Sequence, residues 1–176
     1  MRDAMPAAER AAASVAICDA ANAVLASQLS SPATVALYAA KGSEVDAARI
    51  DAFARASGWA VAYPRVVAGT RALAFAVAGL DELVASGLGL REPPAESAAV
   101  AVADIAAFIV PGLAFDRAGG RIGWGRGHYD ATFAVAPAAL RIGLAFARQI
   151  VERVAREPHD VALDFIITED AIHRVA

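Results

Sequence analysis

Twelve residues of this 176-residue chain hold a concentration of groups able to do chemistry: "GGRIGWGRGHYD", Gly119 to Asp130. Its five glycines, Gly119, Gly120, Gly123, Gly125 and Gly127, leave backbone N–H groups unshielded by side chains and allow positive φ. If the chain enters a helix near His128, those N–H groups and the helix dipole together form an anion site. Arg121 and Arg126 add fixed charges suited to bidentate contact with phosphate oxygens. Asp130 then places a carboxylate where a hard cation such as Mg²⁺ could use it beside bound phosphates, although capping of the helix's first turn is an equal alternative. The chemistry this suggests is the handling of a polyphosphate. No Gly-Lys-Ser/Thr comes after the glycines, and no ribose-binding acid stands at dinucleotide spacing, so neither of those nucleotide motifs applies. As a generic glycine loop the stretch also fits a tight turn or hairpin.

Several elements have to position this loop. The pattern predicts a helix from Pro6 to about Leu29 with Val15, Ala21, Val24 and Leu25 on its apolar face, ended by Ser30, Ser31 and Pro32. "TVALYAA" reads as a buried strand, and a helix carrying Ile50, Phe53 and Ala54 comes after "KGSEVD" and closes at Gly58. "WAVAYP", "RALAFAVA", "FIVPGLAFD", "LRIGLAF" and "DFIITE" read as further strands, whereas "SGLGLREPPAES" reads as an irregular surface segment. "HYDATFAVA" reads as a helix that opens directly after the glycine-rich loop. Short apolar strands alternating with helices predict an α/β fold: a three-layer α/β/α single domain spanning 1–176, with a mainly parallel or mixed central sheet. In such sheets ligands bind outside the carboxyl ends of the strands, where the glycine-rich loop is placed.

Composition removes several function classes. The chain is 58% hydrophobic with a formal net charge of -3, so no global field draws it to nucleic acid or anionic membrane. Basic residues form no stripe with interleaved aromatics, which argues against nucleic-acid binding. No apolar run reaches the roughly 18 to 20 residues of a membrane span, and no secretion signal stands at the start, so a soluble, cytoplasmic protein is expected. The single cysteine, Cys18, falls in a helical pattern and reads as a buried, inert thiol. The oligomeric state is left open.

With its neighbours the loop becomes specific. "VPGLAFDRAGGRIGWGRGHYD" closely resembles the signature of the 5-formyltetrahydrofolate cyclo-ligases, also called methenyltetrahydrofolate synthetases. "ALYAAKGSEVD" resembles the strand and loop carrying that family's folate-binding glutamate. "RIGLAFARQIVERVAREPHDVALDFIITE" resembles its C-terminal strand, Gln-containing helix, His-Asp pair and closing strand. The resemblance implies ATP-dependent conversion of 5-formyltetrahydrofolate, mono- or polyglutamylated, to 5,10-methenyltetrahydrofolate with release of ADP and phosphate. It implies that Arg121, Arg126 and Tyr129 are catalytic and that Gly123, Gly125, Gly127 and His128 join them in holding ATP. Glu44, Ala39, Trp124 and His128 would contact the folate, and Asp130 with Asp160 would carry Mg²⁺. Read without the resemblance, Glu44 beside Ser43 fits a helix N-terminal capping role better than a folate contact.

Other aromatic and titratable residues have plainer readings. Many relatives carry two tyrosines where this chain has His128 and Tyr129, so a structural role for His128 at the mouth of the site is as fitting as proton transfer. Trp59 reads as packing, His159 as a loop hydrogen-bonding group and His173 as solvated. Family members also begin with a further segment whose Lys-x-x-x-Arg cations contact ATP, and "MRDAMPAAERAAAS" resembles the region immediately C-terminal to that segment. The cation-bearing segment is therefore expected to be absent here, through a start placed downstream, a shortened chain or a divergent relative. Arg2 and Arg10 are the nearest substitutes, at other spacings, and a terminal residue is expected to be mobile. Two alternatives stand beside the cyclo-ligase reading: a non-catalytic folate- or nucleotide-binding relative, and a nucleotide-dependent enzyme acting on another formylated or amide substrate.

Overall fold

Side chains alternate along each short apolar strand, and here both resulting faces are covered. The computed structural model describes residues 2–157 and 160–175. Its main sheet takes β1 (Thr34–Ala36), β2 (Ala60–Arg65), β3 (Ala74–Val77), β6 (Ala99–Val100), β7 (Ala107–Val110), β10 (Leu140–Leu144), β12 (Phe165–Ile167) and β13 (Ile172–Arg174). Two short strands, β4 (Val84–Ala85) and β5 (Arg91–Glu92), form a separate hairpin. A small sheet holds β8 (Ala114–Asp116), β9 (Arg121–Ile122) and β11 (Ile150–Val151). The order in the main sheet is β13-β12-β10-β7-β1-β2-β3-β6. Its five central strands run parallel, and β3, β6 and β13 pair antiparallel at the edges. The expected mixed α/β sheet is therefore what forms.

Strand β7 illustrates the layering. Ala107 and Ile109 face one core with Val35, Leu37, Ile142 and Leu144, while Phe108 and Val110 face a second core with Phe115, Phe133 and Ile166. Helices α1 (Ala7–Gln28) and α2 (Ala48–Ala56) close the first core. On the second face, among the described residues, the α-helix is the six-residue α3 (His128–Phe133), beside the small sheet, so the outer layers are unequal. In α1 the buried stripe is Ala13, Ile17, Ala21 and Val24, a spacing that keeps to one face. Val15, expected on that face, lies about 200° around the helix from Ala13 and is exposed. Cys18 is buried as expected, its Sγ 3.2 Å from the Asp46 carbonyl, and burial pushes the thiol up to about 12. Trp59 packs edge-on against Phe53 with ring centroids 5.7 Å apart.

Three further expectations change. "FIVPGLAFD" is not one strand: the chain breaks at Pro111 and Gly112, sending β7 to the main sheet and β8 to the small one. A proline has no N–H to continue the central ladder, so the strand ends there. The Gln-containing helix is instead a single 3-10 turn, Ala147–Gln149, leading into β11. Gln149 explains this. Its buried side chain accepts from the Phe146 N–H at 3.0 Å and donates to the Gly112 and Leu113 carbonyls at 2.9 and 3.1 Å, bonds that a continued helix would break. Third, "SGLGLREPPAES", expected to be irregular, supplies the turn and second strand of a hairpin, its β5 pairing with β4 immediately before it.

Candidate active site

A cleft of about 980 Å³ opens where β1, β2 and β7 end, at the carboxyl edge of the parallel strands. This is the position expected for a ligand site in an open α/β sheet, and the volume falls at the upper end of the small-molecule range. Tyr38, Ala39 and Glu44 line it after β1, Pro64 and Val66 at the end of β2, and Pro111 and Gly112 after β7. The whole run from Arg121 to Asp130 forms another wall, and Ala155, Arg156, Glu157 and Asp160 a third. Every site residue expected from sequence therefore lines one cavity. His159 lies outside the described residues.

Within the loop, Gly125 at φ 76° and Gly127 at φ 63° take left-handed conformations that favour glycine, and Gly127 is the residue from which α3 starts. Because α3 has only six residues, its dipole is a small part of any anion site, and loop amides with arginine carry the remainder. The two arginines stand differently. Arg126 is exposed and makes no ion pair among the described residues. Arg121 is buried to 9% side-chain exposure, with Nη2 3.3 Å from Asp130 Oδ2 and the guanidinium 5.1 Å from the Tyr129 ring centroid. Its Nε has no hydrogen-bond partner among the described residues.

Asp130 also accepts the Val161 N–H on Oδ1 at 3.3 Å, so its carboxylate ties the loop to the 160–161 segment. Both carboxylate oxygens are thus turned away from the helix's own first-turn N–H groups, which removes the capping alternative. Asp160 accepts the Glu157 N–H at 2.7 Å in a neighbouring turn. Burial pushes the Tyr129 phenol well above its usual range, with Arg121 opposing and Glu44 reinforcing the shift, so Tyr129 stays a protonated hydrogen-bond donor. His128 Nδ1 is 2.6 Å from the Arg71 carbonyl. That acceptor fixes a proton on Nδ1 and leaves Nε2 without a partner among the described residues. Thr132 braces the same junction: it donates to the His128 carbonyl at 2.7 Å and accepts the Leu73 N–H at 3.0 Å. Trp124, 70% exposed, stands at the loop tip on the cleft's edge.

Glu44 lies in a turn four residues before α2 begins, too early to cap it. Its Oε2 accepts the Lys41 N–H at 2.9 Å and its Oε1 is 3.6 Å from Arg2 Nη2. Burial raises the carboxyl above its ordinary range, with the Lys41 N–H, Arg2 and the Lys41 charge pulling it back. Arg2, expected to be mobile, is largely buried behind Glu44, whereas Arg10 turns to the Met5 carbonyl.

Sequence reasoning missed four contributors. Gln149 shapes the floor by holding the Gly112 carbonyl, and Asp116 binds the N–H groups of Ala118, Gly120 and Val154 at 3.0, 2.8 and 2.7 Å. Leu90, Arg91 and Glu92 of the hairpin line the cleft, with Arg91 donating to the Leu80 and Leu83 carbonyls. For the hairpin the available signal was Leu90 within a Gly- and Pro-rich run. Tyr38 lines the cleft while donating to the Val45 carbonyl at 2.7 Å.

Residues 1–169 match the family model described as the 5-formyltetrahydrofolate cyclo-ligase family. A curated relative from Mycolicibacterium smegmatis, named 5-formyltetrahydrofolate cyclo-ligase, is 40% identical over 91 residues, or 49% of this chain and 45% of the relative. The chain thus spans less than half the length of the curated relatives it matches. Among solved structures, the 5,10-methenyltetrahydrofolate synthetase of Aquifex aeolicus aligns with TM-score 0.82 and 26% identity, covering 99% of this chain and 87% of that one. A synthetase from Mycoplasma pneumoniae, at TM-score 0.76 and 24% identity over 96% and 92% of the two chains, supports the fold alone.

Proposed function

Because the chain belongs to the 5-formyltetrahydrofolate cyclo-ligase family, we propose that it converts 5-formyltetrahydrofolate to 5,10-methenyltetrahydrofolate at the expense of ATP. The observation that carries the reading is that Glu44 and Tyr38 line the same cleft as the glycine-rich loop and Asp130. One wall offers a carboxylate and apolar surface to a pterin, and the other offers loop amides and arginines to a triphosphate.

In this reading the formyl oxygen attacks the γ-phosphorus, forming an O–P bond as the bond to ADP breaks. N10 then adds to the activated carbon and loses its proton. Phosphate departs with the former formyl oxygen, and the methenyl bridge is left. Arg126, exposed on the loop, meets the triphosphate, and Arg121 offsets charge that develops on the transferring group from a position held by Asp130 and Tyr129. Gly123, Gly125 and Gly127 let the backbone approach the phosphates. The Tyr129 hydroxyl, held protonated, donates a hydrogen bond. Glu44 accepts from the pterin N–H groups, Ala39 and Trp124 flank the ring system, and the His128 Nε2, without a partner among the described residues, is available to either ligand.

The donor set suits Mg²⁺. Asp130 and Asp160 both line the cleft and offer hard carboxylate oxygens of the kind Mg²⁺ uses, and no group of three or more His, Cys, Asp or Glu converges among the described residues. Mg²⁺ is commonly held by one or two carboxylates together with phosphate oxygens and water. When bound it would neutralise phosphate charge, and Asp130 and Asp160 would hold it.

The test is to mix purified protein, ATP, Mg²⁺ and 5-formyltetrahydrofolate and to monitor methenyl-folate absorbance together with ADP. The reading predicts one ADP per methenyl group formed. Ligand binding by calorimetry without turnover would instead support a non-catalytic relative. Turnover that a folate analogue fails to inhibit would point to another formylated substrate.

A further inference from the structure

We propose that Arg2 is a positioning residue for Glu44, and that the N-terminal turn straps the Lys41–Asp46 loop against the cleft. The inference rests on the reading of Glu44 as the carboxylate that receives the folate. Arg2 does not line the cavity, whereas Glu44 does. It stands behind the carboxylate, the two side chains being 11% and 6% exposed. The local turn fixes one Glu44 oxygen through the Lys41 N–H, but that contact alone leaves Oε1 free to swing. The Arg2 guanidinium supplies the second restraint.

Arg2 can do so because it is itself held. Nη1 donates to the Gly112 carbonyl at 3.0 Å, and that carbonyl also accepts from Gln149 Nε2 at 2.9 Å. A continuous set of polar contacts therefore runs from the buried Gln149 through the cleft floor to Arg2 and on to Glu44. The turn that presents Arg2 is anchored twice more. Ser43 Oγ donates to Asp3 Oδ1, joining the turn to the residue beside Glu44, and Met5 is 3% exposed within the core behind α1. Arg10 Nη1 closes the segment by donating to the Met5 carbonyl.

The charge matters as well as the geometry. An ionised carboxylate accepts two N–H donors, which is what a pterin's ring N–H and amino group require, whereas a protonated acid presents one donor of its own. Burial favours the protonated acid at Glu44, and the Lys41 N–H and then the Arg2 charge oppose it. Arg2 thus preserves both the direction and the ionisation of the acceptor pair without touching the ligand.

The experiment is a double-mutant cycle on the full chain with Arg2→Met, Glu44→Gln and the pair, measuring Kd for 5-formyltetrahydrofolate and KM for ATP. The expected result is that Arg2→Met weakens folate binding about 10-fold with ATP KM within 2-fold of the parent. It should add less than 2-fold on top of Glu44→Gln, and Arg2→Lys should recover part of the loss. Thermal melts of each variant separate misfolding from repositioning, and Asp3→Ala, which loosens the strap without removing the charge, should give a smaller loss in folate affinity alone. Additive losses in the cycle, or a loss in ATP affinity with folate unchanged, would overturn the inference. If Glu44→Gln itself leaves folate affinity intact, the Glu44 assignment fails first, which is a distinguishable outcome.

Discussion

Asp116→Asn should destabilise the walls of the cleft with hardly any change in side-chain volume. The carboxylate is 3% exposed and accepts three backbone N–H groups, from Ala118 and Gly120 on Oδ1 and from Val154 on Oδ2. Burial pushes this carboxyl up, but the three donors outweigh it and hold it below its usual value. An asparagine can keep one oxygen toward the Ala118 and Gly120 pair, which places its NH₂ against the Val154 N–H. Losing a hydrogen bond to a charged group costs about 1.5–3 kcal/mol, and leaving a buried donor unsatisfied adds about 1–3 kcal/mol. The substitution should therefore cost roughly 3–5 kcal/mol and lower Tm by roughly 6–20 °C for a chain of this size. Gly120 is packed closely on this carboxylate, since a Cβ there would lie 2.7 Å from Asp116 Oδ2.

Circular dichroism during heating and urea unfolding at pH 7 would measure the loss. The sign of the pH dependence gives a second readout. The folded-state value lies below the ordinary one, so the parent's Asp116 contribution is complete above about pH 4 and is lost as pH falls through the depressed value. The stability gap between parent and variant should therefore narrow below about pH 4. A loss under about 1 kcal/mol at pH 7, or a gap that widens on acidification, would refute the reasoning.

Further outcomes rest on individual residues. Arg126→Ala removes an exposed guanidinium, so Tm should hold while ATP KM rises roughly 10- to 100-fold, the equivalent of about 1.5–3 kcal/mol for one charge-assisted phosphate contact; steady-state kinetics at varied ATP would show it. Gln149→Leu leaves the Phe146 N–H and the Gly112 carbonyl without this partner and should cost about 2–4 kcal/mol in urea unfolding while lowering affinity for folate through the cleft floor. Trp124 is far more exposed than Trp59, so ligand binding should blue-shift emission, and Trp124→Phe should abolish the shift. Cys18, with its thiol raised to about 12 by burial, should react with a disulfide reagent only on unfolding, as a titration in and out of urea would reveal.

Much of the cleft was legible because its residue types stand out from an alanine-rich background. Glycine and arginine crowded between Gly119 and Gly127 have no use in a core, and the β-branched and aromatic runs at "TVALYAA" and "FIVPGLAFD" located two central strands. What escaped was set by contacts distant in sequence. Arg2 gave no sign that it would pair across 42 positions with Glu44, nor Gln149 that it would fold its own segment out of a helix by reaching Gly112 and Leu113. Asp116 reads as an ordinary acid until the Val154 N–H is placed beside it. The β4–β5 hairpin was hidden because Gly and Pro mark turns equally well in open loops and in short hairpins.

Isotope transfer tests the central claim most directly. 5-Formyltetrahydrofolate carrying ¹⁸O in the formyl group is incubated with the protein, ATP and Mg²⁺, and the released phosphate is analysed by mass spectrometry. If the formyl oxygen is phosphorylated in this cleft, each methenyl group formed is matched by one phosphate bearing one ¹⁸O. Unlabelled phosphate accompanying methenyl product would contradict the account.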